Sequence, residues 1–225
     1  MATGVELKPT NAPNTSWHVT IRSIRELKPF LTRRLKATIL NRFYIHLSPD
    51  ETRDRYRRKH TKLIGLVEVA AYCVMDNHLH VIIHQFTADG MYRLMQRVLS
   101  AFVRDYNRGR PRKGPIFDAR HAATPLRDSE PDHVKAAIAY VHLNHPIEQL
   151  DYEWGSHIVL TGERACSWID RERTLAIFGG VEAYVEYMNR NGPRLVRTKL
   201  KEWGLPEDSH PYRPCAVSDF KWYSA

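Results

Sequence analysis

Hydrophobic and polar positions in the first part of the chain predict a sheet with helices packed on it. Trp17–Ile21 alternates and is rich in β-formers, which predicts a strand. Leu31–Leu47 has apolar residues close to helical spacing, and Leu63–Met75 is an almost continuous apolar run, which predicts a long buried strand. His78–Ile83 reads as another strand, and the turn chemistry of Asp76-Asn77 just before it predicts a hairpin.

The rest of the pattern predicts mainly helices joined by loops. Ala88–Asn107 carries one apolar stripe, and Val134–Leu143 is predicted as a helix that Pro146 should end. Together with the first part, the order predicts an α+β sandwich with a mainly antiparallel sheet. The remaining predictions are a helix start after the Pro49-Asp50-Glu51 turn, a loop at Gly109–Pro115, a short strand at Arg120–Leu126, short helices at Arg171–Phe178 and Val181–Asn189, and a proline-containing tail.

The chain of 225 residues is long enough for one domain with a sizeable core and a smaller appendage. We expect a core domain over residues 1–150 and a mostly helical extension over residues 151–225, packed on the domain or appended to it. No apolar run approaches the roughly 18 residues that a membrane span needs. Three scattered cysteines without a CxxC pair argue against a disulfide framework or a thiolate zinc site. A cytoplasmic, nucleoid-associated protein is the expectation.

Positive charge is concentrated in the first 127 residues. The formal net charge is +9, with thirteen Lys or Arg against four acids from Arg22 to Lys62 and nine against two from Met91 to Arg127. From Pro146 onward ten cations face twelve acids. This distribution suits a surface that binds a polyanion, although basic helices that are merely solvated would give the same count.

Two groups of residues carry candidate chemistry. In His78-Leu79-His80, residues two apart project from the same face of a strand, so both imidazoles can converge on one divalent metal ion. His84 shares that face but lies about 13 Å further along, which makes it an unlikely ligand. A His-x-His pair alone is more often structural than metal-binding.

The second group is Tyr140 and Asn144, four residues apart. On a helix they share one face, so a phenol and an amide oxygen would point at the same site. His142 would point the other way and is expected to pack or lie at the surface. Without the histidines, a half-buried aromatic residue would be the preferred interpretation of Tyr140.

Several segments together resemble the single-tyrosine transposases of the HUH class, and within them the REP-associated tyrosine transposases. Ala71–Val81 resembles the HUH motif, and further segments follow in the family's order. The resemblance covers roughly residues 16 to 190, and several spaced motifs are more specific than any one of them. The further segments are Leu94–Val98, Tyr106–Arg108, Gly114–Arg120, Tyr140–Asn144, Trp154–Ser156 and Leu175–Gly180.

The resemblance implies a ferredoxin-like or RRM-like sandwich that cleaves and rejoins single-stranded DNA at hairpin ends. His78, His80 and Asn144 would hold Mg²⁺ or Mn²⁺, and Tyr140 would form a 5′-phosphotyrosine intermediate. Single-stranded or hairpin DNA is the expected partner, with a homodimer as a further expectation. The residues expected to contact DNA phosphates are Arg55, Arg57, Arg58, Arg110, Arg112, Lys113 and Arg120.

The chain departs from the family pattern at two places. The family usually has proline where Asp76 stands, which would put a carboxylate close to the metal, and Pro-Val-Arg where His145-Pro146-Ile147 follows Asn144. Two rival functions remain open. One is a host-adopted DNA-binding protein that has lost turnover, and the other is an RNA-binding module, which would need exposed aromatic residues on its sheet.

Overall fold

The strands of this protein form one antiparallel sheet. The computed structural model describes residues 12–24, 27–111, 114–118 and 122–215. The described strands lie in the order β2-β3-β1-β4, and every neighbouring pair is antiparallel. With a helix after β1 and another after β3, this is the split βαββαβ arrangement of the ferredoxin-like folds. The predicted α+β sandwich is therefore confirmed. The elements of this layer are β1 (Thr15–Arg22), α1 (Arg33–Leu47), β2 (Val67–Val74), β3 (His78–Gln85), α2 (Gly90–Asn107) and β4 (Ala122–Pro125).

Further helices follow β4 and pack on the same sheet. No helix in the described residues is long and apolar enough to cross a membrane. The predicted ends of the strands and helices differ from the observed ends by at most four residues, except in the two segments discussed below. These helices are α3 (Pro131–His142), α4 (His157–Leu160), α5 (Arg171–Phe178) and α6 (Val181–Glu202), with one 3₁₀ turn at Gln149–Asp151.

The strands β2 and β3 are buried on both faces because their alternate residues enter different cores. Leu79 and Val81 of β3 lie in a core with α1 and α2, whose aromatic residues include Phe102. Ile82 enters a second core, which it shares with Ile138 of α3 and with side chains of α5 and α6. Helices α5 and α6 thus pack against the sheet face that carries residues 78, 80 and 82, whereas Trp168 and Ile169 belong to the core with α1 and α2.

The segment from residue 49 to 62 is not helical, so the predicted helix start there is wrong. The carboxylate of Asp54 accepts the backbone N–H groups of Tyr56 (2.8 Å) and Arg58 (3.0 Å), which closes a turn. Arg57 lies in the left-handed region at φ 63°. A side chain that competes for backbone donors in this way favours a turn over a helix.

Helix α6 runs to Glu202, well beyond the predicted end at Asn189. Pro193 lies inside the helix, and proline normally disfavours helical backbone at the residue before it by clashing with the Cβ of that residue. Here that residue is Gly192, which has no Cβ, so the helix continues. The absent Cβ also leaves room for the ring of Tyr212, which packs against the backbone at Gly192.

Candidate active site

Two imidazole rings meet on the α3 side of the sheet. His78 and His80 project from the same face of β3, and their ring centroids are 4.9 Å apart in an edge-to-face arrangement. Leu79 between them is fully buried in the opposite core. The hairpin holds this pair in place, since the backbone N–H of Met75 donates to the carbonyl oxygen of His78 at 2.8 Å.

Asn144 lies beside His78 although it comes just after the end of α3. Its side-chain Nδ2 is 3.3 Å from His78 Nε2, and its residue is 2% exposed. On the other side of the ring, His78 Nδ1 is 2.7 Å from Asn77 Oδ1. The acceptor at Asn77 fixes the proton of His78 on Nδ1 and leaves the lone pair on Nε2, toward Asn144.

His80 is held through its Nδ1 atom by two residues of the neighbouring strand. Nδ1 is 2.9 Å from His18 Nε2 and 3.1 Å from Thr20 Oγ1. The His18 and His80 rings are stacked with centroids 5.1 Å apart. Sequence reasoning missed both His18 and Thr20. Their spacing of two on β1 shows in the sequence that they share one face of the strand. Only the strand register, which pairs Thr20 with His80, shows that this face adjoins the His80 ring.

Tyr140 of α3 reaches the same group of rings. Its ring is half-buried and lies edge-on to His80 and to His18, with centroids 6.0 Å and 5.9 Å apart. Lys199 of α6 also contacts it, with Nζ 3.4 Å from the centroid of the phenol ring. The chain therefore brings His78, His80, Tyr140 and Asn144 together, and adds His18 and Lys199 to them.

The imidazoles of this site are neutral at physiological pH. Burial lowers the pKa of His78 to about 4, and the charges of Arg22 and Lys199 act in the same direction. Burial also lowers the pKa of His18 to about 4, with a further contribution from Lys199. For His80, burial together with the neighbouring histidines holds the pKa well below its ordinary value. A neutral imidazole is the form that can bind a metal ion.

The donor set fits a divalent ion of the Mn²⁺ or Mg²⁺ kind. Two neutral imidazoles and one amide lie close together. His80 contacts its neighbours on β1 through Nδ1, and His78 contacts Asn77 through Nδ1 as well. In metal sites such contacts of one ring nitrogen orient the other toward the ion. Nitrogen ligands suit Mn²⁺ better than Mg²⁺. Among the described residues, no cluster of three or more His, Cys, Asp or Glu is arranged to hold a metal ion. Asn144 would thus have to supply the third ligand.

Comparison with known proteins gives a likeness of fold. No model of a protein family matches the chain, and no curated protein sequence matches it. Among solved structures, the chain is similar to a REP-associated tyrosine transposase bound to a REP hairpin. The two share 16% identity with a TM-score of 0.48, over 72% of this chain and 90% of that one. A likeness at this level concerns the fold alone, so the chemistry has to be argued from the site.

The two departures from the family pattern are accommodated locally. The carboxylate of Asp76 is bound by the nearly buried ammonium of Lys36, with Oδ1 and Nζ 2.6 Å apart, so it has a partner within the domain. His145 stacks on Tyr152 at a centroid distance of 4.4 Å, and burial lowers the pKa of His145 to about 4. The ring of His145 is therefore a neutral packing element next to Asn144.

The other histidine and tyrosine candidates lie away from these rings. His142 is buried and bonds Ser156 Oγ at 2.8 Å, so it packs, as expected. His84 contacts Ser16 Oγ at 3.0 Å at the far end of β3. Tyr106 lies in the core beneath α1 and α2, on the other face of the sheet. None of the three is positioned to replace Tyr140 or the two ring ligands.

The described residues among those predicted to contact DNA lie in two surface segments, with Arg55, Arg57 and Arg58 in one and Arg110 in the other. Arg55 lies over the exposed ring of Tyr56 at 4.6 Å, and Arg58 pairs with Asp54, so part of this charge is already neutralised. Arg110 lies over the ring of Tyr106 at 4.1 Å. It lines a groove of about 910 Å³ with three further arginines, between α1 and the end of α2. The groove arginines are Arg34, Arg42, Arg108 and Arg110, and the predicted Arg112, Lys113 and Arg120 lie outside the described residues.

Proposed function

We propose that this protein is a metal-dependent endonuclease and strand transferase for single-stranded DNA, acting as a transposase of the HUH class at hairpin ends. One observation carries the proposal. A phenol from α3 lies edge-on to one of two neighbouring neutral imidazoles on β3, and an amide four residues after the phenol contacts the other. Nucleophile and metal ligands of such a reaction need this proximity.

In the proposed reaction, the phenolic oxygen of Tyr140 attacks the phosphorus of a DNA phosphodiester. A bond forms between phosphorus and that oxygen while the bond to the 3′-oxygen breaks, which gives a 5′-phosphotyrosine link. The phenol loses one proton and the departing 3′-oxygen gains one. Attack by another 3′-hydroxyl reverses the step and joins strands without an external energy source. A Mg²⁺ or Mn²⁺ ion at His78, His80 and Asn144 would polarise the phosphate.

Covalent transfer of labelled DNA to the protein tests the proposal. Oligonucleotides that form a hairpin with a single-stranded flank are incubated with the protein and resolved on a denaturing gel. The parental chain should give a covalent adduct, and Tyr140→Phe should give none while it binds the hairpin with nearly parental affinity. Tyr106→Phe is the matched control, because Tyr106 lies on the other face of the sheet.

An adduct of full yield from Tyr140→Phe would refute the assignment of the nucleophile. Hairpin binding by the parental chain without any adduct would instead favour a host-adopted binding protein. The RNA-binding alternative is less well supported, because the face that an RRM uses is covered here by α3, α5 and α6.

The metal dependence is tested separately. His78→Ala with His80→Ala should abolish cleavage and Mn²⁺ binding measured by electron paramagnetic resonance, while the domain stays folded. His84→Ala on the same strand should change neither. Cleavage by the parental chain that persists undiminished in a chelator would overturn the metal role.

A further inference from the structure

Lys199 is a buried cation in the C-terminal part of the chain that packs onto Tyr140. It lies near the end of α6 and is 2% exposed, although lysine rarely lies so deep without a partner. Its Nζ is 3.4 Å from the centroid of the Tyr140 ring and 3.0 Å from Glu202 Oε2. The ammonium therefore lies between a solvent-facing carboxylate and the phenol.

Stability alone does not account for a charge at this position. Taking an ammonium out of water costs several kcal/mol, and an apolar side chain of similar volume is often at least as stabilising. The carboxylate of Glu202 is 47% exposed, so an ion pair with it could form equally well in solvent. What burial adds is contact between the cation and the face of the Tyr140 ring.

The charge also acts on the imidazoles around Tyr140. The Tyr140 ring that it covers lies edge-on to the rings of His18 and His80, with centroids 5.9 Å and 6.0 Å away. Lys199 thus lies within electrostatic range of the whole group. A single positive charge there disfavours a divalent cation but favours a phosphate, and it favours any negative charge that develops on the phenol oxygen.

We propose that Lys199 is a positioning residue that acts through Tyr140, so that the C-terminal extension completes the active site. Its ammonium holds the ring by a cation–π contact and stabilises the phenolate. The phenolate is the form in which Tyr140 attacks the phosphorus, and it is the leaving group when the strands are rejoined. The inference rests on the proposed function, since it assigns a role toward the nucleophile of that reaction.

Replacement of Lys199 by a neutral side chain of similar length tests the role. Lys199→Met should lower the single-turnover cleavage rate at least about tenfold, in line with the loss of one preorganised electrostatic contact. Hairpin affinity and the melting temperature should stay near parental values. Lys199→Arg keeps the charge and should keep most of the rate. Lys201→Met, an exposed lysine on the same helix, is the matched control and should behave as the parental chain.

A second measurement separates an electrostatic role from a merely structural one. Replacing Tyr140 by 3,5-difluorotyrosine makes the phenol more acidic, so its phenolate needs less stabilisation. The fluorinated residue should therefore speed cleavage more in the Lys199→Met background than in the parental one. If Lys199→Met does not fold, Lys199→Gln takes its place with the same expectations.

Three results would overturn the proposal. They are a parental cleavage rate in Lys199→Met, a loss of rate matched by an equal loss of binding and stability, and an equal effect of fluorination in both backgrounds. Failure of the proposed function itself is recognised independently, because the parental chain would then form no Tyr140-dependent adduct, and the role of Lys199 would fall with it.

Discussion

Acidification should destabilise this protein through two buried histidines that share one tyrosine hydroxyl. Tyr184 Oη is 2.8 Å from His142 Nδ1 and 2.5 Å from His157 Nδ1, and His142 Nε2 is 2.8 Å from Ser156 Oγ. One set of donors satisfies all of these contacts. Ser156 Oγ donates to the carbonyl oxygen of Tyr72 and accepts from His142 Nε2, Tyr184 donates to His142 Nδ1, and His157 Nδ1 donates to Tyr184. Both imidazoles are neutral in this arrangement.

The magnitude follows from the shift in pKa between the unfolded and folded states. Burial lowers the pKa of His157 to about 3 and holds the pKa of His142 well below its ordinary value. Below pH 6.5 the unfolded chain takes up protons that the folded chain excludes, so the free energy of unfolding falls as pH falls. Well below pH 6.5 each group contributes about 1.4 kcal/mol per pH unit. For His157 the loss between pH 6.5 and 4.5 is about 2 kcal/mol, because half of the unfolded imidazole is already protonated at pH 6.5.

Urea unfolding at pH 7.5, 6.5, 5.5 and 4.5 measures this loss directly. In His157→Asn the side-chain amide can donate to Tyr184 in place of Nδ1, but it does not titrate. The variant should therefore lose about 2 kcal/mol less than the parental chain between pH 6.5 and 4.5. His210→Asn in the tail is the control. Parallel stability curves for the parental chain and His157→Asn would refute the reasoning.

Three further outcomes are expected. Asp76→Asn removes the negative partner of the nearly buried Lys36 and should lower the free energy of unfolding by about 1–2 kcal/mol, whereas Asp132→Asn at an exposed position should not. Gly192→Ala should cost about 1–3 kcal/mol, because the new methyl group meets the Tyr212 ring, and adding Tyr212→Ala should recover part of it in the same urea assay. Neutralising the basic loop should flatten the log–log salt dependence of hairpin binding by about 0.7–0.9 per lost phosphate contact, and a parental slope would remove the loop from the DNA surface. The loop variant is Arg110, Arg112 and Lys113→Ala, and its control is Arg190, Arg194 and Arg197→Ala.

The sheet and its hairpin could be predicted from the chain because their signals are local. The alternation around Trp17–Ile21 and the apolar run before Asp76 mark strands without reference to any distant residue. The same holds for the shared face of His78 and His80, which follows from a spacing of two on a strand. Tyr140 and Asn144 could be paired by helical spacing, although the helix ends at His142 and Asn144 reaches His78 from the turn beyond it.

What could not be predicted depends on register and tertiary packing. His18 becomes a neighbour of His80 only because β1 lies next to β3 in the sheet, with Thr20 opposite His80. The full length of α6 was missed because Gly192-Pro193 normally ends a helix. The helix continues because Gly192 has no Cβ to clash with Pro193, and the ring of Tyr212 occupies the space beside Gly192. Lys199 lies beyond that point, so it contacts Tyr140 as part of the helical segment that the sequence did not predict.

The geometry of the candidate site depends on both layers of the protein. The imidazoles are fixed by β3, whose alternate residues are anchored in the core with α1 and α2. Tyr140 is positioned by α3, which shares the second core with α6. A nucleophile displaced by about 1 Å can lose much of its rate, so the packing of α6 on α3 matters for the chemistry as well as for stability. The extension after residue 151 is therefore better regarded as part of the proposed catalytic unit than as an appendage to it.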